Sequence, residues 1–173
     1  MAIPDLDKFS SSLQQGKIPV IKHFELNLDK GSHWAIAGNS GSGKPYALTY
    51  FLSVLKPMSG LIIIDSKFDT PSQWARENKI AVIHPVENHS KSDFVSQVNE
   101  QLNQCATLIQ KRQAILYDNP NHQFTHLTIV IDEVLALSEG VNKNIKEAFF
   151  PYYHKLPCWD MLLKSIYSWK PAF

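Results

Sequence analysis

Residues Gly38-Asn39-Ser40-Gly41-Ser42-Gly43-Lys44 decide how this chain is read, and the next residue, Pro45, qualifies the reading. The spacing G-x-x-x-x-G-K belongs to a loop whose backbone N–H groups wrap phosphates, normally followed by Ser or Thr. Glycines permit a backbone path that side chains would block, and Lys44 sets a positive charge against the terminal phosphates. At Pro45 the hydroxyl that would normally hold Mg²⁺ is missing. The flanks fit such a loop. His33-Trp34-Ala35-Ile36-Ala37 reads as a short buried strand. Tyr46 to Lys56 carries Leu48, Phe51, Leu52 and Leu55 at helical spacing and stops before Pro57. Strand, loop and helix in that order predict a nucleotide site. Gly38, Asn39, Ser40, Gly41, Ser42, Gly43, Lys44, Pro45 and Tyr46 are its expected binding residues.

A chain of 173 residues suffices for one well-buried domain and is short for two. Its 44% hydrophobic and 19% charged content is ordinary for a globular protein. A net charge of +1 gives no basic footprint for nucleic acid. Cys105 and Cys158 are too few for a disulfide framework or a zinc site, which fits a reducing compartment. The apolar stretches are too short to cross a bilayer, and Met1-Ala2-Ile3-Pro4-Asp5 does not resemble a signal peptide. The expectation is a cytoplasmic chain with no membrane segment.

Residues 1–17 read as a polar lead-in, 18–150 as the core and 151–173 as an aberrant, aromatic-rich tail. Ile18 to Asp29 alternates loosely, as one or two edge strands do. Leu61-Ile62-Ile63-Ile64-Asp65 and Leu127-Thr128-Ile129-Val130-Ile131 are continuous apolar runs, the mark of strands covered on both faces. Ile80-Ala81-Val82-Ile83 is another such strand. Pro71 to Asn78 reads as a short helix anchored by Trp74. Ser92, as N-cap, opens the longest helix, which runs to about Tyr117. Phe94, Val95, Val98, Leu102, Cys105, Ala106, Ile109 and Leu116 form its apolar stripe. A last helix is expected from about Asn142 to Phe150. Strands alternating with helices predict an α/β fold, a parallel sheet with helices on both faces.

The strand ending in Asp132-Glu133 supplies what a phosphate site needs from a neighbouring strand. Asp132 is assigned the Mg²⁺ shell and Glu133 the orientation of an attacking water, with Lys44 as the catalytic cation. Other residues take plainer readings. Cys105 is a small core residue on its stripe. His84, His89, His122 and His126 lack metal-ligand spacing. Lys111-Arg112 belongs to a solvated helix face. Asp65 either approaches the nucleotide from its strand end or faces solvent there.

The order of these blocks resembles the FtsK/SpoIIIE family of hexameric, ATP-driven DNA pumps, in particular members carried on mobile elements. The blocks are Ile18-Pro19-Val20, Trp34 to Gly38 with the loop, Ile62-Ile63-Ile64-Asp65-Ser66-Lys67, the helix ending near Lys111-Arg112, and Ile129 to Glu133. The resemblance covers about residues 17 to 150, and the Asp-x-Lys block is its most discriminating part. It implies a P-loop NTPase of RecA-like fold with its C-terminal strands incomplete. It implies ATP and Mg²⁺ as cofactors, DNA as partner, and a homo-hexamer in intact members, many of which are membrane-associated.

Two departures from that family stand out. Pro45 removes both a hydroxyl and a backbone N–H, and it biases Lys44 away from helical geometry. Each lost charge-assisted contact is worth about 1.5–3 kcal/mol, so nucleotide use falls by roughly a hundredfold or more. The second departure is Phe150 to Asp160. The family-like peptide Phe-Ser-Leu-Leu-Ser-Gln-Ile-Ala-Leu-Leu-Gly can be encoded so that reading one base later yields these residues. A frameshift near Phe150 is therefore expected, the alternative being a genuine divergent tail that packs its aromatics on the sheet. The main reading is an ATP-binding fragment of a DNA translocase, impaired in hydrolysis. Two alternatives stand beside it. One is a non-catalytic nucleotide-binding module. The other is an ABC-type transport ATPase, suggested by Phe24-Glu25-Leu26-Asn27-Leu28. That class needs an L-S-G-G-Q-like string shortly before the Asp-Glu strand, and Gln110 to Leu127 contains none.

Overall fold

The computed structural model describes residues 17–27, 33–37, 41–133, 142–143 and 161–165. Their strands are β1 (Lys17–Ile21), β2 (Phe24–Asn27), β3 (His33–Ile36), β4 (Ser59–Asp65), β5 (Val82–Ile83), β6 (His126–Asp132) and β7 (Met161–Ser165). The helices are α1 (Lys44–Leu55), α2 (Thr70–Glu77) and α3 (Lys91–Asp118).

The apolar runs around Ile62 and Ile129 pair in parallel as β4 and β6, in register from Ser59 opposite His126 to Asp65 opposite Asp132. The five-stranded order is β3-β7-β6-β4-β5, with β5 also parallel to β4. β7 runs antiparallel to both β3 and β6. β3 therefore points the same way as β6, and the sheet is parallel apart from β7. Residues 161–165 come from the segment set apart in the sequence as a tail. β1 and β2 form a separate antiparallel hairpin, as the loose alternation after Ile18 predicts.

Side chains alternate across the sheet, so neighbouring residues of one strand serve opposite cores. Ile63 and Val130 pack with Ile18, Leu48, Leu52, Leu55, Trp74 and Ala75, beneath α1, α2 and the hairpin. Ile64, Ile129 and Ile131 pack with Phe94, Val98, Leu102 and Cys105 of α3 on the other face. Leu52, Leu55 and Leu102 are wholly buried, each stabilising the fold by about 1.5–3 kcal/mol relative to exposure. The fold is mixed α/β with a parallel core covered on both faces, as the strand–helix alternation predicts.

Three local expectations need correction. The long helix is capped by Ser90, not Ser92. The Ser90 hydroxyl accepts from Asp93 N at 3.2 Å and the Asp93 carboxylate accepts from Ser90 N at 2.9 Å, a reciprocal box that satisfies two amides lacking helical partners. Arg112 is not simply solvated. Its guanidinium donates to Thr125 O at 2.9 Å and lies 4.9 Å from the Phe124 ring centroid, tying α3 to the segment entering β6. The strand expected over Ile80 to Ile83 is reduced to the two residues of β5. The helix expected from Asn142 to Phe150 lies outside the described residues beyond Lys143; Asn142 N donates to Asn99 Oδ1 at 3.1 Å.

Candidate functional site

The described part of the glycine loop begins at Gly41. Gly41 and Gly43 hold φ of +78° and +87°, left-handed values that suit glycine and strain other residues. Gly43 is the N-cap of α1, its carbonyl accepting from Ala47 N at 3.1 Å. Lys44 is the first helical residue despite the proline that follows it, which corrects the expectation that Pro45 turns it out of the helix. Burial of Leu48, Phe51, Leu52 and Leu55 outweighs the modest steric bias at Lys44. First-turn amides have no intrahelical acceptor, so a proline there costs the helix nothing. Whatever would have used that amide is what loses a donor.

Asp65, at the end of β4, does neither thing expected of it. It is fully buried and accepts five hydrogen bonds, from Lys67 N, Phe68 N, Asp69 N, Ser72 N and Ser72 Oγ, at 2.6–3.2 Å. This carboxylate folds the turn between β4 and α2 and thereby sets the position of Lys67.

Asp132 and Glu133 close β6. Burial, then the negative charges of Asp65 and Glu133, push the Asp132 carboxyl up to about 6, with the Lys67 charge acting the other way. Glu133 has φ +54°, a left-handed conformation uncommon outside glycine. Its carboxylate forms an ion pair with the Lys67 ammonium. Ser66 Oγ donates to Asp132 O at 3.4 Å, a second link between the two strand ends.

These pieces surround one cavity of about 280 Å³. Ile36, Gly41, Lys44, Pro45 and Leu48 line it from β3, the loop and α1, Asp132 and Glu133 from the end of β6, and Lys67, Asp69, Thr70 and Pro71 from the turn after β4 and the start of α2. Ile36 and Asp132 lie in register across Met161 of β7. Two strand spacings, roughly 10 Å, therefore separate the strand feeding the loop from the carboxylates. Of the expected binding residues, Gly41, Lys44 and Pro45 line the cavity and Ser42 and Gly43 flank it in the loop. Tyr46 points to solvent, 83% exposed. Gly38, Asn39 and Ser40 lie outside the described residues. Sequence reasoning gave no role to Lys67, Asp69 or Thr70, although Lys67 stood in the quoted Asp-x-Lys block.

Mg²⁺ demands near-octahedral oxygen ligation. Position 45 offers no hydroxyl, and Glu133 already has a cation in Lys67. The hydroxyl that normally shares the metal is thus missing beside the carboxylate assigned to it from the sequence, Asp132. Among the described residues no cluster of three or more His, Cys, Asp and Glu is arranged to hold a metal ion.

The ABC transporter family profile matches residues 21–147, from the hairpin through the loop and past β6. The chain belongs to the ABC transporter family. The fold is accordingly a P-loop NTPase fold. Over 130 residues, 75% of this chain and 18% of the other, it is 28% identical to the putative HMP/thiamine import ATP-binding protein YkoD of Bacillus subtilis. It is 28% identical over 127 residues to the energy-coupling factor transporter ATP-binding protein EcfA1 of Mycoplasmopsis synoviae, covering 73% of this chain and 35% of that one. A shorter match, 37% over 60 residues, is to EcfA2 of Latilactobacillus sakei, covering 35% and 21%. The chain thus spans between about a fifth and a third of the length of these curated relatives. No solved structure matches it significantly.

The family match corrects the FtsK/SpoIIIE resemblance, and with it the DNA-translocase function, the DNA partner and the hexamer. With that resemblance goes the family peptide against which the shifted frame at Phe150 was compared. The physical reason for the error is visible in the site. A glycine loop and an Asp-Glu strand are common to many P-loop proteins. The block that tipped the reading, Asp65-Ser66-Lys67, owes its aspartate to a buried turn cap, which carries no chemistry specific to DNA. Setting the ABC reading aside for want of an L-S-G-G-Q-like string gave too much weight to one motif against Phe24 to Leu28 and the loop together. Among the described residues no helix is long and apolar enough to cross a membrane.

Proposed function

We propose that this chain is the nucleotide-binding part of an ABC-type import ATPase, and that it binds ATP but turns it over slowly. The observation that carries the reading is the single cavity shared by Lys44 at the start of α1 and Asp132-Glu133 at the end of β6. In this reading the Gly41 to Gly43 backbone and the Lys44 ammonium hold the phosphates. Gly38, Asn39 and Ser40 complete the loop, and the Tyr46 amide adds a first-turn donor. Asp132 faces the terminal phosphate. Glu133 orients water, with the Lys67 ammonium paired to its carboxylate. Pro45 supports slow turnover, since it withdraws a hydroxyl and an amide from the phosphates. The relatives' names support a membrane importer component as the partner, with this chain docked at the cytoplasmic face.

A second reading, a nucleotide-binding module without turnover, is favoured by Pro45 together with the missing L-S-G-G-Q-like string between Gln110 and Leu127. One experiment addresses both. Titration with a fluorescent ATP analogue should saturate, and Lys44→Ala should weaken it by roughly tenfold or more. Steady-state phosphate release then separates slow turnover from none. An unmodified chain that binds no analogue, or a Lys44→Ala variant that binds equally well, would refute the nucleotide site.

A further inference from the structure

We infer that Lys67 takes the place of the divalent cation in this site, so that nucleotide binding is largely independent of Mg²⁺. This rests on the ATP-binding reading above and assigns a cation that the donor set otherwise lacks.

Three observations converge on Lys67. It lines the same cavity as Lys44. Its ammonium pairs with Glu133 from a side chain still 57% exposed, which places a positive charge beside the strand-end carboxylates and leaves it able to reach a ligand. Its backbone is fixed, because Lys67 N donates to the buried Asp65 carboxylate at 3.0 Å within the five-bond turn cap. A divalent ion beside phosphates serves to neutralise charge between the phosphates and a carboxylate. An ammonium does the same as a point charge with three rotatable donors. At position 45, where the metal's hydroxyl ligand belongs, proline offers nothing. Lys44 and Lys67 then both hold the phosphates, with Glu133 paired to Lys67.

The test is equilibrium binding of a fluorescent ATP analogue to the purified chain, in EDTA and in millimolar Mg²⁺. Unmodified protein, Lys67→Met, Lys67→Arg and Lys44→Ala are compared, with circular dichroism confirming that each is folded. The expected result is a Kd in EDTA within about threefold of that in Mg²⁺. Lys67→Met should lose roughly tenfold in EDTA and recover part of that loss when Mg²⁺ is added, while Lys67→Arg should retain most of the affinity. If the unmodified chain loses tenfold or more in EDTA, the inference is overturned and the nucleotide site stands. The same holds if Lys67→Met binds normally while Lys44→Ala does not. If no form binds under either condition, the nucleotide site itself falls and the inference with it.

Discussion

Replacing Asp132 with asparagine should make the protein more stable at neutral pH, although it removes a residue of the proposed site. The Asp132 carboxyl is raised from 3.8 to about 6 by burial and by the charges of Asp65 and Glu133. The folded state therefore keeps a proton on Asp132 between about pH 4 and 6 that the unfolded chain has released. Stability falls as pH rises through that window; the whole cost is present above about pH 6 and none of it below about pH 4. Two pH units correspond to about 3 kcal/mol as an upper bound. The group is only half-buried, and solvent screening brings this down to roughly 1–2 kcal/mol. An amide carries no charge and still accepts from the Glu133 amide, so Asp132→Asn should gain that amount at pH 7.5, or roughly 2–8 °C in Tm. Thermal melts from pH 4 to 8 in EDTA, without nucleotide, measure it. The gain should shrink towards zero near pH 4. A variant less stable than the parent at pH 7.5, or a gain that does not change with pH, would refute the account of Asp132.

Asp65→Asn should destabilise the fold by about 3 kcal/mol or more, because its amide nitrogen cannot accept from Asp69 N, Ser72 N or Ser72 Oγ; urea unfolding reports this as a lowered midpoint. Ser90→Ala removes one half of the capping box and should cost ~1 kcal/mol in the same assay. Leu102→Ala opens a hole beneath α3 at a wholly buried position and should cost about 2–5 kcal/mol. Pro45→Ser restores a hydroxyl and an amide at the start of α1; phosphate release should rise roughly tenfold or more and become Mg²⁺-dependent.

Much of the fold was legible because the chain states it twice, once in apolar runs and once in what interrupts them. Ile62 to Ile64 and Ile129 to Ile131 could only be strands buried on both faces, and the stripe from Phe94 to Cys105 could only be a helix lying on one of them. The halves of the site were legible for the same reason: a glycine loop after one strand and two acids after another. Lys67 was not, because its importance comes from the turn that Asp65 caps, and a buried carboxylate reads in sequence like any strand-end acid. Ser90 was passed over for Ser92 because serine at either position fits, and only the partner three residues on decides between them. Membership in one P-loop family over another was the least legible property. The strings they share are those the phosphates require, and the differences lie in segments whose chemistry is set by partners.

The strand that delivers the glycine loop and the strand that delivers the acids never touch; β7 lies between them, bonded to each along its length. The gap that receives a ligand is thus gauged by a five-residue ribbon. Leu163 sits opposite Trp34 on one edge and Val130 on the other. Weakening the ribbon at that point would loosen two ladders together and let the loop drift from the acids. The width of the site and the continuity of the sheet thus depend on the same five residues.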